Sequence, residues 1–193
     1  MKVIISMKTK IEKYIDENGV KILKSIVGNR LWFLLAPCIA VKNGVIMFPK
    51  GKLIVLTHSG SKYVTFDTEW YETEEWGYDY KEFLIGEEPR TETGVTVCAG
   101  NAESNVMFEF CEIKSVDIYQ SEHRAHNEHI IYDAMIVFET ASGEIIAFEA
   151  PSNAEWFTYL HIVNDFEKEK FLERLKKEFI RKVETDDRNK WNI

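Results

Sequence analysis

The pattern of apolar and polar positions is clearest between Val106 and Glu149. Val106, Phe108 and Phe110 alternate with polar residues, which predicts a strand with one buried face. The alternation breaks over Cys111–Ser115 and resumes at Val116 and Ile118, so a bulge or tight bend is expected near Glu112–Ser115. Residues 130–139 and 144–149 are apolar on both faces for part of their length. Joined by Thr140-Ala141-Ser142-Gly143, they predict a hairpin covered on two sides.

Elsewhere the pattern is shorter. Ile11, Tyr14, Ile15, Ile22, Leu23 and Ile26 share one face at helical spacing, predicting a helix over 7–27, interrupted at Asn18-Gly19 and ended by Gly28-Asn29. Leu31–Leu35 reads as a buried strand stopped by Pro37. Residues 38–66 read as an antiparallel meander, with Asn43-Gly44 as a hairpin turn and Pro49-Lys50-Gly51 and Ser59-Gly60-Ser61 as further turns. Val95–Cys98 reads as a short strand. Two helices are expected over 153–183. The first follows a Ser152-x-x-Glu155 cap and carries Trp156, Tyr159, Leu160 and Val163. The second starts near Asn164, buries Phe171, Leu172, Leu175, Phe179 and Val183, and pairs Glu173 with Lys177 and Glu178 with Lys182 on its exposed face. The expected fold is α+β in one domain over 1–193. A curved antiparallel sheet or partly open barrel over 31–149 is capped by the C-terminal amphipathic helix, with an extra N-terminal helix.

Composition narrows the setting. The 193 residues are 45% hydrophobic and 13% aromatic, enough for a core. The three cysteines, Cys38, Cys98 and Cys111, are odd in number and widely spaced, which reads as buried thiols in a reducing compartment. The N-terminal apolar run is too short for a signal peptide, and the run Leu31–Val41, broken by Pro37, is too short for a membrane helix. The expectation is a cytoplasmic protein with no membrane contact. The net charge of −8 argues against nucleic acid as the main ligand. That charge is local: residues 67–88 hold nine acids and one base, and the remaining 171 residues carry 23 of each sign.

Several short motifs resemble bacterial pleckstrin-homology-like domains. Lys52-Leu53-Ile54-Val55-Leu56-Thr57 is similar to a strand of that family, Phe110–Val116 to its acid-Ile-x-x-Val bend, and Ile136-Val137-Phe138 with Ile145-Ile146-Ala147-Phe148 to its last hairpin. The likeness covers about residues 44–183. It implies a curved antiparallel sheet closed by a helix, and binding of peptides, proteins or lipid headgroups without catalysis. The long segment 67–105 and the N-terminal helix depart from the pattern, and no basic headgroup pocket is visible.

Three candidate chemistries follow. His123, His126 and His129, with Glu122 and Glu128, offer imidazole ligands for a divalent metal or a hydrolytic site. Their spacing converges poorly on a helix and alternates faces on a strand, so a solvated connection between strands accounts for them more simply. Nucleophilic catalysis has no support: no cation flanks a cysteine, and no G-x-S-x-G, Walker or H-E-x-x-H motif occurs. The acidic segment is the third. Solvated acidic loops are poor in aromatics, whereas this one carries Phe66, Trp70, Tyr71, Trp76, Tyr78, Tyr80 and Phe83 among its acids. Either these rings pack on the protein's own sheet, or they form an interface. The leading expectation is a non-catalytic protein-binding module without a cofactor. Trp70, Tyr71, Glu74, Glu75, Trp76, Tyr78 and Asp79 would meet a basic protein partner. An immunity or inhibitor protein for a basic nuclease toxin is its concrete version; a structural domain is the bland one.

Overall fold

Alternation of buried and exposed positions organises most of the described residues into strands. The computed structural model describes residues 9–73, 79–88, 104–109, 111–124, 127–152 and 156–184, the last four through their backbone. In chain order the elements are β1 (Thr9–Lys13), α1 (Glu17–Ser25), β2 (Arg30–Ala36), β3 (Ala40–Lys42), β4 (Val45–Phe48), β5 (Gly51–Thr57), β6 (Gly60–Tyr71) and β7 (Tyr80–Glu88). There follow β8 (Ser104–Met107), β9 (Ile113–Arg124), β10 (Glu128–Thr140), β11 (Ile145–Glu149), β12 (Thr158–Val163), α2 (Asp165–Glu178) and β13 (Arg181–Glu184). The class is α+β, dominated by sheet.

The strands form two sheets, neither closed into a barrel. The eight-stranded sheet runs β13-β9-β10-β11-β12-β4-β3, with β1 beside β10; the five-stranded sheet runs β7-β6-β5-β2-β8. Their inner faces meet in one apolar core. Phe66 of the smaller sheet stacks on Phe148 of the larger, centroids 4.6 Å apart, and Phe48 and Phe138 meet Phe148 edge-on. Helix α2 lays Phe171 and Leu175 on the other face of the larger sheet, over Met135, Val137, Ile145 and Ala147. Strands β10 and β11 are therefore covered on both sides, as their two-faced apolar pattern requires.

Strand β10 changes partner midway. Its first half pairs with β1 in parallel, and its second half pairs with β11 antiparallel. Asp133 sits at the changeover, beside a register shift against β9. Its buried carboxylate accepts the Ile15 amide at 2.7 Å and the Gln120 side-chain amide at 3.2 Å. Where the ladder has no strand to pair with, a side chain takes over.

The two sequence motifs with the firmest stereochemistry reappear. Asn43-Gly44 turns β3 into β4, both residues at positive φ. The irregularity near Glu112–Ser115 is a register shift between Ser115 and Ile113 against Glu139 and Thr140.

Four expectations are corrected. Residues 7–27 are not one helix: residues 9–13 are β1, and α1 begins only at Glu17. Asp16 caps it by accepting the Gly19 amide at 2.6 Å, so Asn18-Gly19 marks a helix start and no interruption. A Cβ at Gly19 would lie 2.6 Å from Ile15 Cγ2 and 3.1 Å from Ile85 Cβ, so only glycine fits there. The first of the two C-terminal helices is β12, which fits between β11 and β4 by burying Thr158 and Leu160 on one face and Val163 on the other, beneath α2. The second ends at Glu178, and its expected last turn is β13, paired with β9. Residues 38–66 are not a continuous meander, because the chain changes sheet at Pro49-Lys50 and β4 and β5 do not pair. The Val95–Cys98 strand lies outside the described residues.

Candidate functional site

Most of the acidic segment is built into the β6–β7 hairpin. The ladder runs from Tyr63–Glu88 to Tyr71–Tyr80, and residues 72–79 connect the two strands. Period-2 alternation sends Phe66, Phe83 and Ile85 into the core. Lysines from outside the acidic stretch meet several of the acids. Glu82 pairs with Lys13 at 3.1 Å, Glu87 with Lys62 at 2.8 Å and Glu88 with Lys52 at 2.5 Å. The segment is thus partly neutralised by the fold around it.

The expected anchors divide. Glu74, Glu75, Trp76 and Tyr78 lie outside the described residues. Asp79 is buried. Tyr71 is half-buried and turned inward: it stacks on Tyr80 at 5.3 Å, and Lys13 Nζ sits 4.1 Å over its ring. The Glu69 carboxylate beside its hydroxyl pushes the phenol above its ordinary range. Trp70 remains at a surface. Trp156 lies over it, centroids 5.6 Å apart, and is itself 72% exposed. The Trp70 indole nitrogen is buried and has no hydrogen-bond partner among the described residues.

Lys81 explains how Trp156 gets there. It is the single base of residues 67–88, pairs across the hairpin with Trp70, and is only 1% exposed. Its ammonium donates to the Phe157 carbonyl at 2.8 Å, tying the chain just after Trp156 to the hairpin. Sequence reasoning missed Trp156 because it was assigned to a helix. The available signal for Lys81 was one base enclosed by Tyr80 and Phe83 in an acidic stretch.

A trough lies on the outer face of the same sheet. Leu35, Lys52, Thr65 and Gly86 form one row across β2, β5, β6 and β7, and Asp67 pairs with Leu84 in the next outward row. The space above these rows measures about 620 Å³.

The histidines do not converge. His123 pairs with Ile130 and His129 with Arg124 in the β9–β10 ladder, so the two rings point to opposite faces. His126 lies outside the described residues. His129 meets Glu122 at 2.5 Å, and Arg124 also meets that carboxylate, at 2.6 Å. Arg124 first, then His129, holds Glu122 below its ordinary range against the opposing effect of burial. Among the described residues no group of His, Cys, Asp or Glu is arranged to hold a metal ion. Cys111 has its thiol pushed up by burial and by Glu144, away from the thiolate a nucleophile needs.

One further polar cluster joins α2 to the sheet. Glu149 meets His161 at 2.7 Å and accepts Arg174 Nη2 through both oxygens at 3.0 and 3.1 Å. Burial raises the Glu149 carboxyl, yet the histidine and the guanidinium outweigh it and hold the group below its ordinary value.

No helix among the described residues is long and apolar enough to cross a membrane. Comparison with protein-family models, with curated proteins and with solved structures finds no match for this chain.

Proposed function

We propose that this protein is a non-catalytic binding module that recognises a basic protein partner through the acidic-aromatic β6–β7 hairpin. The observation that carries this reading is the Trp70–Trp156 pair. A tryptophan held 72% exposed on a second tryptophan is not needed by the core. Large amphipathic rings that stay at the surface are what interface anchors use. Glu69 and Glu72, exposed beside them in sequence, supply charge that steers a cationic partner. The likeness to bacterial pleckstrin-homology-like domains supports the same class, since such domains bind without catalysis. An inhibitor of a basic nuclease is the specific form we favour, because residues 67–88 concentrate negative charge as a nucleic-acid strand does.

The test is capture of partners on the immobilised protein at about 0.05 M and about 0.5 M salt, where screening differs strongly. Capture that weakens with salt and disappears in Trp70→Ala/Trp156→Ala is expected. Capture indifferent to both salt and the tryptophans overturns the reading.

A further inference from the structure

We propose that the trough on the outer face of the five-stranded sheet seats an extended basic segment of the partner. An arginine or lysine of that segment meets Asp67, and an apolar side chain lies against Leu84. The proposal rests on the partner-binding reading above and deepens it, naming where on the hairpin the partner inserts.

Register defines the trough. Paired residues in an antiparallel ladder share a face, so Leu35, Lys52, Thr65 and Gly86 stand together, and Asp67 and Leu84 stand beside them. Phe66 and Ile85, between these rows, turn into the core and leave backbone as the floor. Gly86 keeps that floor low. A Cβ there would come 2.7 Å from Thr65 Oγ1, so a larger residue would crowd the middle of the trough. Its volume of about 620 Å³ lies within the ordinary range of ligand sites.

Length selects the occupant. From β2 to β7 the trough crosses three inter-strand spacings, about 14 Å, which about four extended residues span. Side chains of an extended segment alternate, so two of the four face the floor together.

Charge selects its sign. With Lys13, which meets Glu82, the walls carry four carboxylates (Asp16, Asp67, Glu82, Glu88) and three lysines (Lys13, Lys50, Lys52), a net charge of −1. Glu88 is taken by Lys52 and Glu82 by Lys13. Asp67 accepts only the amide of Thr68 among the described residues, which leaves acceptor capacity for a cation. Leu84 stands 45% exposed beside it, an apolar contact next to a carboxylate.

The probe is a fluorescein-labelled hexapeptide of alternating arginine and leucine, with glutamate–leucine and serine–leucine counterparts as controls. Fluorescence anisotropy measures affinity, and backbone amide NMR shifts locate the site. The arginine peptide is expected to bind, with shifts at residues 65–67 and 84–86, and to weaken about tenfold in both Asp67→Lys and Leu84→Lys. Thr65→Gln, which fills the floor without changing charge, is expected to weaken it as well. Equal binding of all three peptides, or arginine-peptide binding unmoved by these variants, overturns the proposal. Partner capture that survives Leu84→Lys but fails in Trp70→Ala/Trp156→Ala overturns the seat and leaves the broader reading standing. Loss of capture in both supports the seat.

Discussion

The Trp156 indole lies over that of Trp70, with 37° between the ring planes, and the buried Lys81 donates to the carbonyl of the next residue, Phe157. Trp70 belongs to β6 and Trp156 to the approach to β12, so the pair joins the edge region of one sheet to a strand of the other. Trp156→Ala removes a mostly exposed ring and is expected to change stability by no more than about 0.5 kcal/mol. Trp70→Ala removes a half-buried ring and is expected to cost about 2 kcal/mol. Urea unfolding measures both. Equal losses from the two variants would mean that Trp156 is a core residue and not an anchor.

Asp133 is a second test, this time of the fold. It accepts the Ile15 amide and the Gln120 side chain where β10 passes from β1 to β11. Asp133→Ala removes the buried carboxylate that both donors use and is expected to cost about 3 kcal/mol. Amide hydrogen exchange at Ile15 should accelerate in the same variant. An unchanged exchange rate there would show that β1 and α1 are held by other means.

The Glu149–His161–Arg174 cluster gives a pH dependence with a definite sign. The folded Glu149 carboxyl titrates below its ordinary value of 4.5. Stability from this group is therefore present above the unfolded pKa and is lost as pH falls through the folded one. Unfolding free energy should decline below about pH 4.5, and the decline should be shallower in Glu149→Gln. At neutral pH that variant is expected to be less stable by about 2 kcal/mol, because Arg174 keeps only Glu178 as a counter-ion and the charged acceptor facing His161 is lost. Identical acid profiles for the two proteins would remove Glu149 as the source.

Helix α2 offers a local check. The Asn164 side chain accepts the amides of Phe166 and Glu167 at 3.0 and 3.2 Å. Asn164→Ala should cost about 1 kcal/mol, and Asn164→Asp should retain the cap and gain from the helix dipole. Thermal unfolding of the three proteins ranks them. An alanine variant as stable as the native protein would show that the cap contributes nothing.

The features legible in the sequence are those whose physics is local. Asn43-Gly44 makes a turn because both residues tolerate positive φ, wherever the flanking strands go. Asn164 caps α2 because its side chain reaches the next two free amides. Strands β10 and β11 announce themselves through apolar residues on both faces. The segments at 9–13 and 158–163 were misjudged for an equally physical reason. Over five or six residues, helical spacing and strict alternation select overlapping positions, and Tyr159, Leu160 and Val163 satisfy the first while Thr158 and Leu160 satisfy the second. Only a neighbour with open hydrogen-bonding groups decides between them. For Thr158–Val163 those neighbours are β11 and β4, and for Thr9–Lys13 it is the first half of β10.

The candidate site divides along the same line. The concentration of acids and rings in residues 67–88 is a property of the sequence, and it named Trp70 and Tyr71 directly. Which ring stays at the surface is a matter of twist and contact: Tyr71 stacks inward on Tyr80, whereas Trp70 meets Trp156 at the solvent edge. The lysines that neutralise Glu82, Glu87 and Glu88 come from β1, β5 and the start of β6. The trough arises from four strands drawn from two separate stretches of chain. The sequence by itself determined the strand-rich α+β class, the turns, the second helix and the acidic-aromatic character of the hairpin, all set by neighbours in the chain. The tertiary structure decided sheet membership, the conversion of three apparent helical segments into strands, and the pairing of Trp70 with Trp156. Each of these depends on hydrogen bonds and contacts between residues that meet only when the chain has folded.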